Sequence, residues 1–273
     1  MDIEKKFTVQ LGKLGIELTE NKEQMFEMYY KLILSWNEFI NLTAITEKSQ
    51  MYEKHFLDSL SIVKILDIKK MSEKKEKLER IEEAEGVEEV GREEGVVVGE
   101  GGVEEGFRVL DIGTGAGFPG IPLKIVFPEI EMVLLDSLEK RVRFLDKVLK
   151  ELGMEQISCL HGRAEDFARK EEHRQGFDLV VSRAVANLSV LSEYALPFVK
   201  VGGSFVAYKS SDIKEEVEKS ERAVEVLGGL IKEEITFHLP GTEICRTLLR
   251  IEKVSDTPRK YPRRAGKPEK KPL

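Results

Sequence analysis

The sequence predicts an α/β protein built on a doubly wound, mostly parallel sheet that ends in an antiparallel hairpin, with a helical region ahead of it. Three observations carry this. From residue 107 onward, short apolar runs alternate with stretches of helical periodicity, as repeated βαβ units require. The first of these runs ends in a turn carrying Gly113, Gly115 and Gly117. The last two runs are joined directly by LPGTEI with no helix between them, so they should pair antiparallel at the sheet edge.

Taken in order, residues 19–40 form an amphipathic helix. Thr19 is its expected N-cap, and Phe26, Tyr29, Ile33, Trp36 and Ile40 recur at the spacing of one buried face. NLTAIT (41–46) interrupts this pattern, and a second helix over 50–66 contains YEKHFLDSLSIVKIL. The strands follow as RVLDI (108–112), MVLLD (132–136), ISCLH (157–161), FDLVVS (177–182) and GSFVAY (203–208), then the pair near 233–238 and 246–254. A helix containing LKIVF links the first two. Another over 138–152 sets Val142, Leu145, Leu149 and Leu152 on one face and stops at Gly153.

Charge divides the chain further. The net charge of −7 argues against nucleic acid only if taken whole. Residues 73–106 hold 13 Glu against 5 Lys and Arg, a net of −8, and the remainder comes to +1. Residues 251–273 reverse the sign, with 8 basic and 3 acidic side chains. The expected organisation is an N-terminal helical region (1–66), an acidic Glu/Gly/Lys-rich insertion (67–106), a ligand-binding sheet domain (107–256) and a basic, proline-rich tail (257–273). The first half of the insertion could be a solvated helix; the glycines of the second half make it a flexible excursion.

Cys159 and Cys245 are the two cysteines, too few for a disulfide framework or a zinc cluster. His55, His161, His173 and His238 show no metal-ligand spacing. MDIEKKFTVQ does not read as a signal peptide, and no apolar run is long enough to span a membrane. A cytoplasmic, metal-free protein is the expectation, with a monomer favoured.

In an open doubly wound sheet the ligand lies at the carboxyl ends of the strands. Gly113, Gly115 and Gly117 follow the first strand, Asp136 ends the second, Ala164 and Glu165 follow the third, and Ser182 and Arg183 come at and just after the end of the fourth. Gly115-Ala-Gly-Phe-Pro-Gly120 satisfies G-x-G-x-x-G, a weak dinucleotide signal that is out of register with a strand ending at Ile112. No G-K-[ST] follows the turn, which excludes a P-loop. Asp111-Ile-Gly113-Thr-Gly115-Ala-Gly117 resembles the first motif of the Rossmann-like class I methyltransferases. That resemblance implies S-adenosylmethionine, with the glycines beside its methionine and ribose, Asp136 accepting from the ribose hydroxyls and Glu165 beside the adenine. The fourth strand runs into SRAVANL, without the Pro-Pro-aromatic stretch of adenine amino-group methylation and without a reactive cysteine for C5 of a pyrimidine. An acceptor needing neither remains: a ring nitrogen, or an oxygen or nitrogen of a small molecule.

NLTAIT, KHFLDSL, VLDIGTGAGFPGIP, LLDSLEKRVRFL, SRAVANL and KYPRRAGKPEKKPL, in this order, resemble the bacterial small-subunit (16S) ribosomal RNA guanine-N7 methyltransferase family, formerly called glucose-inhibited division protein B. The resemblance covers about 1–66 and 107–273; the acidic segment departs from it, since the family crosses this gap with a far shorter stretch. It implies cofactor contacts at Gly113, Phe118, Asp136, Ser137, Leu138, Ala164, Glu165 and Arg183, and a guanine near the decoding region as acceptor. The partner would be the ribosomal RNA or the assembled small subunit. Guanine N7 carries a lone pair and no proton, so positioning and desolvation would do the catalysis and no catalytic acid or base is assigned. Arg183 and Lys209 are candidates to hold the guanine edge. Arg143, on a helix with Lys140, Arg141 and Lys147, and Arg259, Lys260, Arg263 and Arg264 of the tail are candidates to grip RNA. A small-molecule methyltransferase of the same fold and an inactive RNA-binding relative remain as alternatives.

Overall fold

The computed structural model describes residues 2–84, 106–183, 186–210 and 212–273, the side chains of 78–84 excepted. The second half of the acidic insertion, and Ala184 and Val185 of SRAVANL, lie outside the described residues.

Two helices lead the chain, α1 (Ile3–Gly12) and α2 (Glu20–Ile40). Thr19 caps α2 by accepting from Lys22 N, and Asn41 ends it in the left-handed conformation. Phe26, Tyr29 and Ile33 are buried as the spacing predicts, and Trp36 packs its ring 5.7 Å from that of Phe144. The helix expected over 50–66 is broken into pieces. α3 (Lys48–Met51) passes into a π turn (Tyr52–Leu57), then α4 (Asp58–Leu60) and a 3₁₀ turn (Ser61–Lys64). The widened turn is a tertiary adjustment, and its carbonyls serve the site described below.

α5 (Ile68–Ala84) occupies the first half of the acidic segment, and its start is packed rather than solvated. Ile68 and Ser72 are buried, and Lys75 Nζ donates to Gly106 O at 2.7 Å and Asp178 Oδ2 at 2.9 Å.

The sheet then alternates with helices: β1 (Arg108–Ile112), α6 (Gly120–Val126), β2 (Glu131–Asp136), α7 (Glu139–Glu151), β3 (Ile157–His161), α8 (Ala164–Phe167), β4 (Phe177–Arg183), α9 (Leu188–Ala195) and β5 (Val199–Lys209). α10 (Lys214–Val226) precedes the hairpin β6 (Gly229–His238) and β7 (Cys245–Lys253), and α11 (Lys267–Lys270) lies near the C-terminus. The strand order is β3-β2-β1-β4-β5-β7-β6, with β1 to β5 parallel and β7 antiparallel to both β5 and β6. The order reverses between β1 and β4, which opens a crevice at their carboxyl ends. Strand side chains alternate between two cores: Val109, Leu134, Val181 and Val206 face one side, and Leu110, Val133, Val180 and Phe205 face the other.

The tail is not a free arm. Arg174 donates to Thr257 O at 2.6 Å and Tyr261 O at 3.0 Å, Arg169 donates to Pro262 O at 2.7 Å, and Tyr261 is buried. Arg263 meets the fully buried Glu193 of α9, with Nε 2.9 Å from Oε1 and Nη2 2.5 Å from Oε2. The Arg263 guanidinium, expected as an RNA contact, is thus engaged by an internal carboxylate.

Candidate active site

The turn after β1 is held by two carboxylates. Asp111, at the end of the strand, accepts from Thr114 Oγ1 at 2.7 Å and Gly120 N at 2.9 Å through Oδ2. Among the described residues its Oδ1 has no partner, and burial pushes its carboxyl up to about 7 against the lowering effect of those donors and of Arg183. Asp136, at the end of β2, accepts from Gly115 N at 2.9 Å, Leu138 N at 2.8 Å and Arg141 Nη1 at 3.3 Å. Gly113 and Gly115 sit at φ +68° and +63°, a region that side chains disfavour, and this lets the backbone curl over the strand end. Tyr29 Oη, brought in by α2, donates to Ala116 O and ties the turn to the N-terminal helices.

The facing wall comes from the N-terminal helices and two strand ends. The π turn presents the carbonyls of Lys54 and His55 to Arg183 Nη1 at 3.2 and 3.5 Å. Arg183 Nη2 meets His55 Nδ1 at 2.9 Å, and the guanidinium lies 5.0 Å over the Phe118 ring. His55 in turn stacks on Phe118 at 4.6 Å and 12°. Asp58, almost fully buried, bridges two arginines: Arg183 Nη1 at 3.2 Å and Arg246 Nε, from β7, at 2.9 Å. His55 Nε2 lies 2.9 Å from Thr43 Oγ1, and Asn37 Oδ1 fixes Thr43 by accepting its backbone N–H at 2.9 Å. Burial, with Arg183 and Arg246 adding to it, lowers the His55 imidazole to about 3, so the ring is neutral.

Between these walls lies a cavity of about 660 Å³, in the range of small-molecule sites. Gly113, Gly115, Phe118, Asp136, Ser137, Arg183 and Lys209 of the expected residues line it. Ala164, Glu165 and Leu138 do not. Glu165 is buried and its Oε1 accepts from Gly266 N of the tail at 3.1 Å, so it faces the C-terminal segment. Asp136 has three protein donors on it; a carboxylate offers about four acceptor positions, which leaves room for one further donor rather than two hydroxyls. Lys209 reaches the cavity while bonded to Glu216 Oε1 at 2.7 Å and Ala186 O at 2.8 Å. Arg143 points outward in a pair with Glu139, and Arg259 pairs with the exposed Glu171. Lys260 lies over the Tyr261 ring, and Lys260 and Arg264 are exposed.

Thr43, His55, Asp58 and Arg246 are site residues that pattern reasoning did not single out. The signal of the first three was present in NLTAIT and KHFLDSL, which break or embed in helical pattern without any chemistry-bearing spacing of their own, and Arg246 sits in a strand with no motif around it.

A sheet of this order, reversed at its last strand pair and carrying its cavity over the β1 turn, is the Rossmann-like fold of S-adenosylmethionine-dependent methyltransferases. The open glycine turn suits that ligand, because Gly115 has no heavy atom closer than 4.0 Å to the position of an added Cβ. The family model for rRNA small subunit methyltransferase G matches residues 22–73 and 96–245. The chain is 46% identical over 267 residues to ribosomal RNA small subunit methyltransferase G of Lachnoclostridium phytofermentans, covering 98% of this chain and 96% of that protein. It is 45% identical over 260 residues to the protein of that name in Clostridium tetani, with 95% and 94% covered, and 41% identical over 273 residues to that of Bacillus cytotoxicus, with 100% and 99% covered. The chain belongs to the rRNA small subunit methyltransferase G family. Among the described residues, no helix is long and apolar enough to cross a membrane.

Proposed function

We propose that the protein transfers the methyl group of S-adenosylmethionine to N7 of one guanine of small-subunit ribosomal RNA near the decoding region, as a monomer in the cytoplasm. One observation supports this above the others: among the described residues, the ionisable acceptors on the cavity wall are already engaged by protein donors. The His55 Nδ1 lone pair is taken by Arg183, each Asp58 oxygen accepts from an arginine, and Asp136, bonded by the turn and Arg141, keeps one acceptor position, which the cofactor would use. An acceptor that had to lose a proton before attack would find no taker, whereas guanine N7 presents a lone pair and no proton.

The bound cofactor supplies an electrophilic methyl group on a sulfonium. Gly113, Gly115, Ser137 and the remaining acceptor position of Asp136 would hold it against the sheet edge, with Phe118 closing the turn. Arg183 and Arg246, fixed by Asp58, and Lys54 set a cationic rim for the phosphates around the target. The residues orient the base in line and exclude water, which is where the rate gain arises.

The test is transfer of labelled methyl to unmodified small subunits and to their extracted RNA, with the modified atom mapped. Label on N7 of one guanine is expected. Label on another atom, or none with either substrate despite cofactor binding, would overturn the acceptor.

A further inference from the structure

We infer that the Thr43 hydroxyl is the donor that reads the carbonyl oxygen of the acceptor base beside the nitrogen that takes the methyl; this rests on the guanine reading above. A guanidinium has no lone pair to offer, so the 2.9 Å contact between Arg183 Nη2 and His55 Nδ1 makes Nδ1 the acceptor. The imidazole is neutral in its buried setting, and its one proton therefore sits on Nε2.

Nε2–H then donates to Thr43 Oγ1 at 2.9 Å. Ile45 N donates to the same oxygen at 3.1 Å. A hydroxyl has two lone pairs and one proton, so both of its acceptor positions are filled and it can serve a further partner only by donating. Thr43 lines the cavity, and its backbone is pinned by Asn37, so the remaining proton is directed into the ligand space from a fixed oxygen. Arg183, by contrast, is held among the Lys54 and His55 carbonyls, Asp58 and Phe118.

A donor of fixed sense discriminates between purines. Guanine places an acceptor, O6, next to N7, and adenine places the N6 amino group there. Thr43 would pair with the first and oppose the second, where two donors meet. Arg183 sets the tautomer, His55 transmits it, and Thr43 presents the outcome to the base.

The experiment compares the parent protein with Thr43→Val and Thr43→Ser. The substrates are small-subunit RNA carrying guanine at the target and the same RNA carrying 2-aminopurine there, which keeps N7 and lacks O6. With guanine, Thr43→Val should lower kcat/KM about tenfold, the size of one hydrogen bond, and Thr43→Ser should restore most of it. With 2-aminopurine the parent should lose a similar factor, and Thr43→Val should then match the parent. An equal loss from Thr43→Val on both substrates, whether through weakened cofactor binding or a displaced His55, would overturn the assignment while leaving the guanine reading intact. If the parent methylates no guanine, the reading itself fails. Failure of Thr43→Val to fold would shift the decision to Thr43→Ser, whose preference for guanine over 2-aminopurine must match that of the parent.

Discussion

Replacing Arg263 by alanine separates two roles for the C-terminal segment, RNA arm or internal strap. In the structure the carboxylate of Glu193 has no exposed surface and accepts from Arg263 Nε at 2.9 and 3.0 Å, Nη2 at 2.5 Å and the Arg263 backbone N at 2.7 Å. Arg263→Ala removes every one of these except the backbone bond and leaves a buried charge without its partner. Breaking a buried pair in this way costs about 3–5 kcal/mol; the Arg263 side chain is 14% exposed, so water can partly compensate and about 3 kcal/mol is expected. With a urea dependence of about 2–3 kcal/mol per molar, the unfolding midpoint should fall by roughly 1–1.5 M. Replacing both partners by methionine should cost less than the sum of the single changes, because no orphaned charge remains. The salt dependence of RNA binding should keep its slope, since each lost phosphate contact on single-stranded RNA would change it by about 0.7. A midpoint within experimental error of the parent, together with a flatter salt slope, would refute the strap and return Arg263 to the RNA surface.

Two further outcomes follow from the same contacts. The His55 imidazole, lowered to about 3 by burial and the two arginines, stays neutral in the folded chain while the unfolded chain takes up a proton near 6.5. Its contribution is therefore complete above pH 6.5 and lost progressively toward pH 3, about 2 kcal/mol of it by pH 5; urea unfolding at pH 7.5 and 5 should show a smaller decline for His55→Gln than for the parent, and parallel declines would refute the assignment. Gly117→Ala should cost about 2–4 kcal/mol, because φ is +97° and the new Cβ would lie 2.4 Å from Ile121 Cδ1 and 2.6 Å from Tyr29 Oη. Thermal unfolding and cofactor titration of this variant should both weaken, and an unchanged midpoint would show that the turn tolerates a side chain.

The sheet was legible because its signal is local. Five apolar runs with glycine, proline or polar breaks between them can hardly form anything but buried parallel strands, and LPGTEI is long enough for a hairpin only. The turn glycines and Asp136 were legible for the same reason, being consecutive with strand ends. The facing wall was not. The π turn of 52–57 satisfies Arg183, which is more than a hundred residues away in sequence, so no periodicity inside YEKHFL could announce it. The packing of the tail was hidden for a related reason. RKYPRRAGKPEKKP reads as a polyelectrolyte, and its destination depends on distant side chains, Arg169, Arg174, Glu165 and the buried Glu193 of α9, that nothing in its own composition announces. Long-range ion pairs are invisible to composition, and this chain places two of them, Asp58 with Arg183 and Asp58 with Arg246, in the wall of its site.

Those pairs also bear on how a chain of net charge −7 can take a polyanion as substrate. The field a substrate meets is set by the groups nearest the cavity, since exposed charges beyond about 8–10 Å are largely screened at physiological salt. The cavity wall carries Lys54, Arg141, Arg183, Lys209 and Arg246 against Asp58 and Asp136, an excess of three positive charges. Both acids are spent internally, Asp58 on two arginines and Asp136 on the glycine turn, so neither projects a free carboxylate at the opening. The acids therefore hold the cations in place at a modest cost in field. An arginine fixed by Asp58 gives up less conformational freedom when a phosphate arrives than one on a loose surface, and rigid donors of this kind favour orientation over simple attraction. For a reaction whose acceptor atom needs no activation, orientation is the larger share of what a protein can contribute.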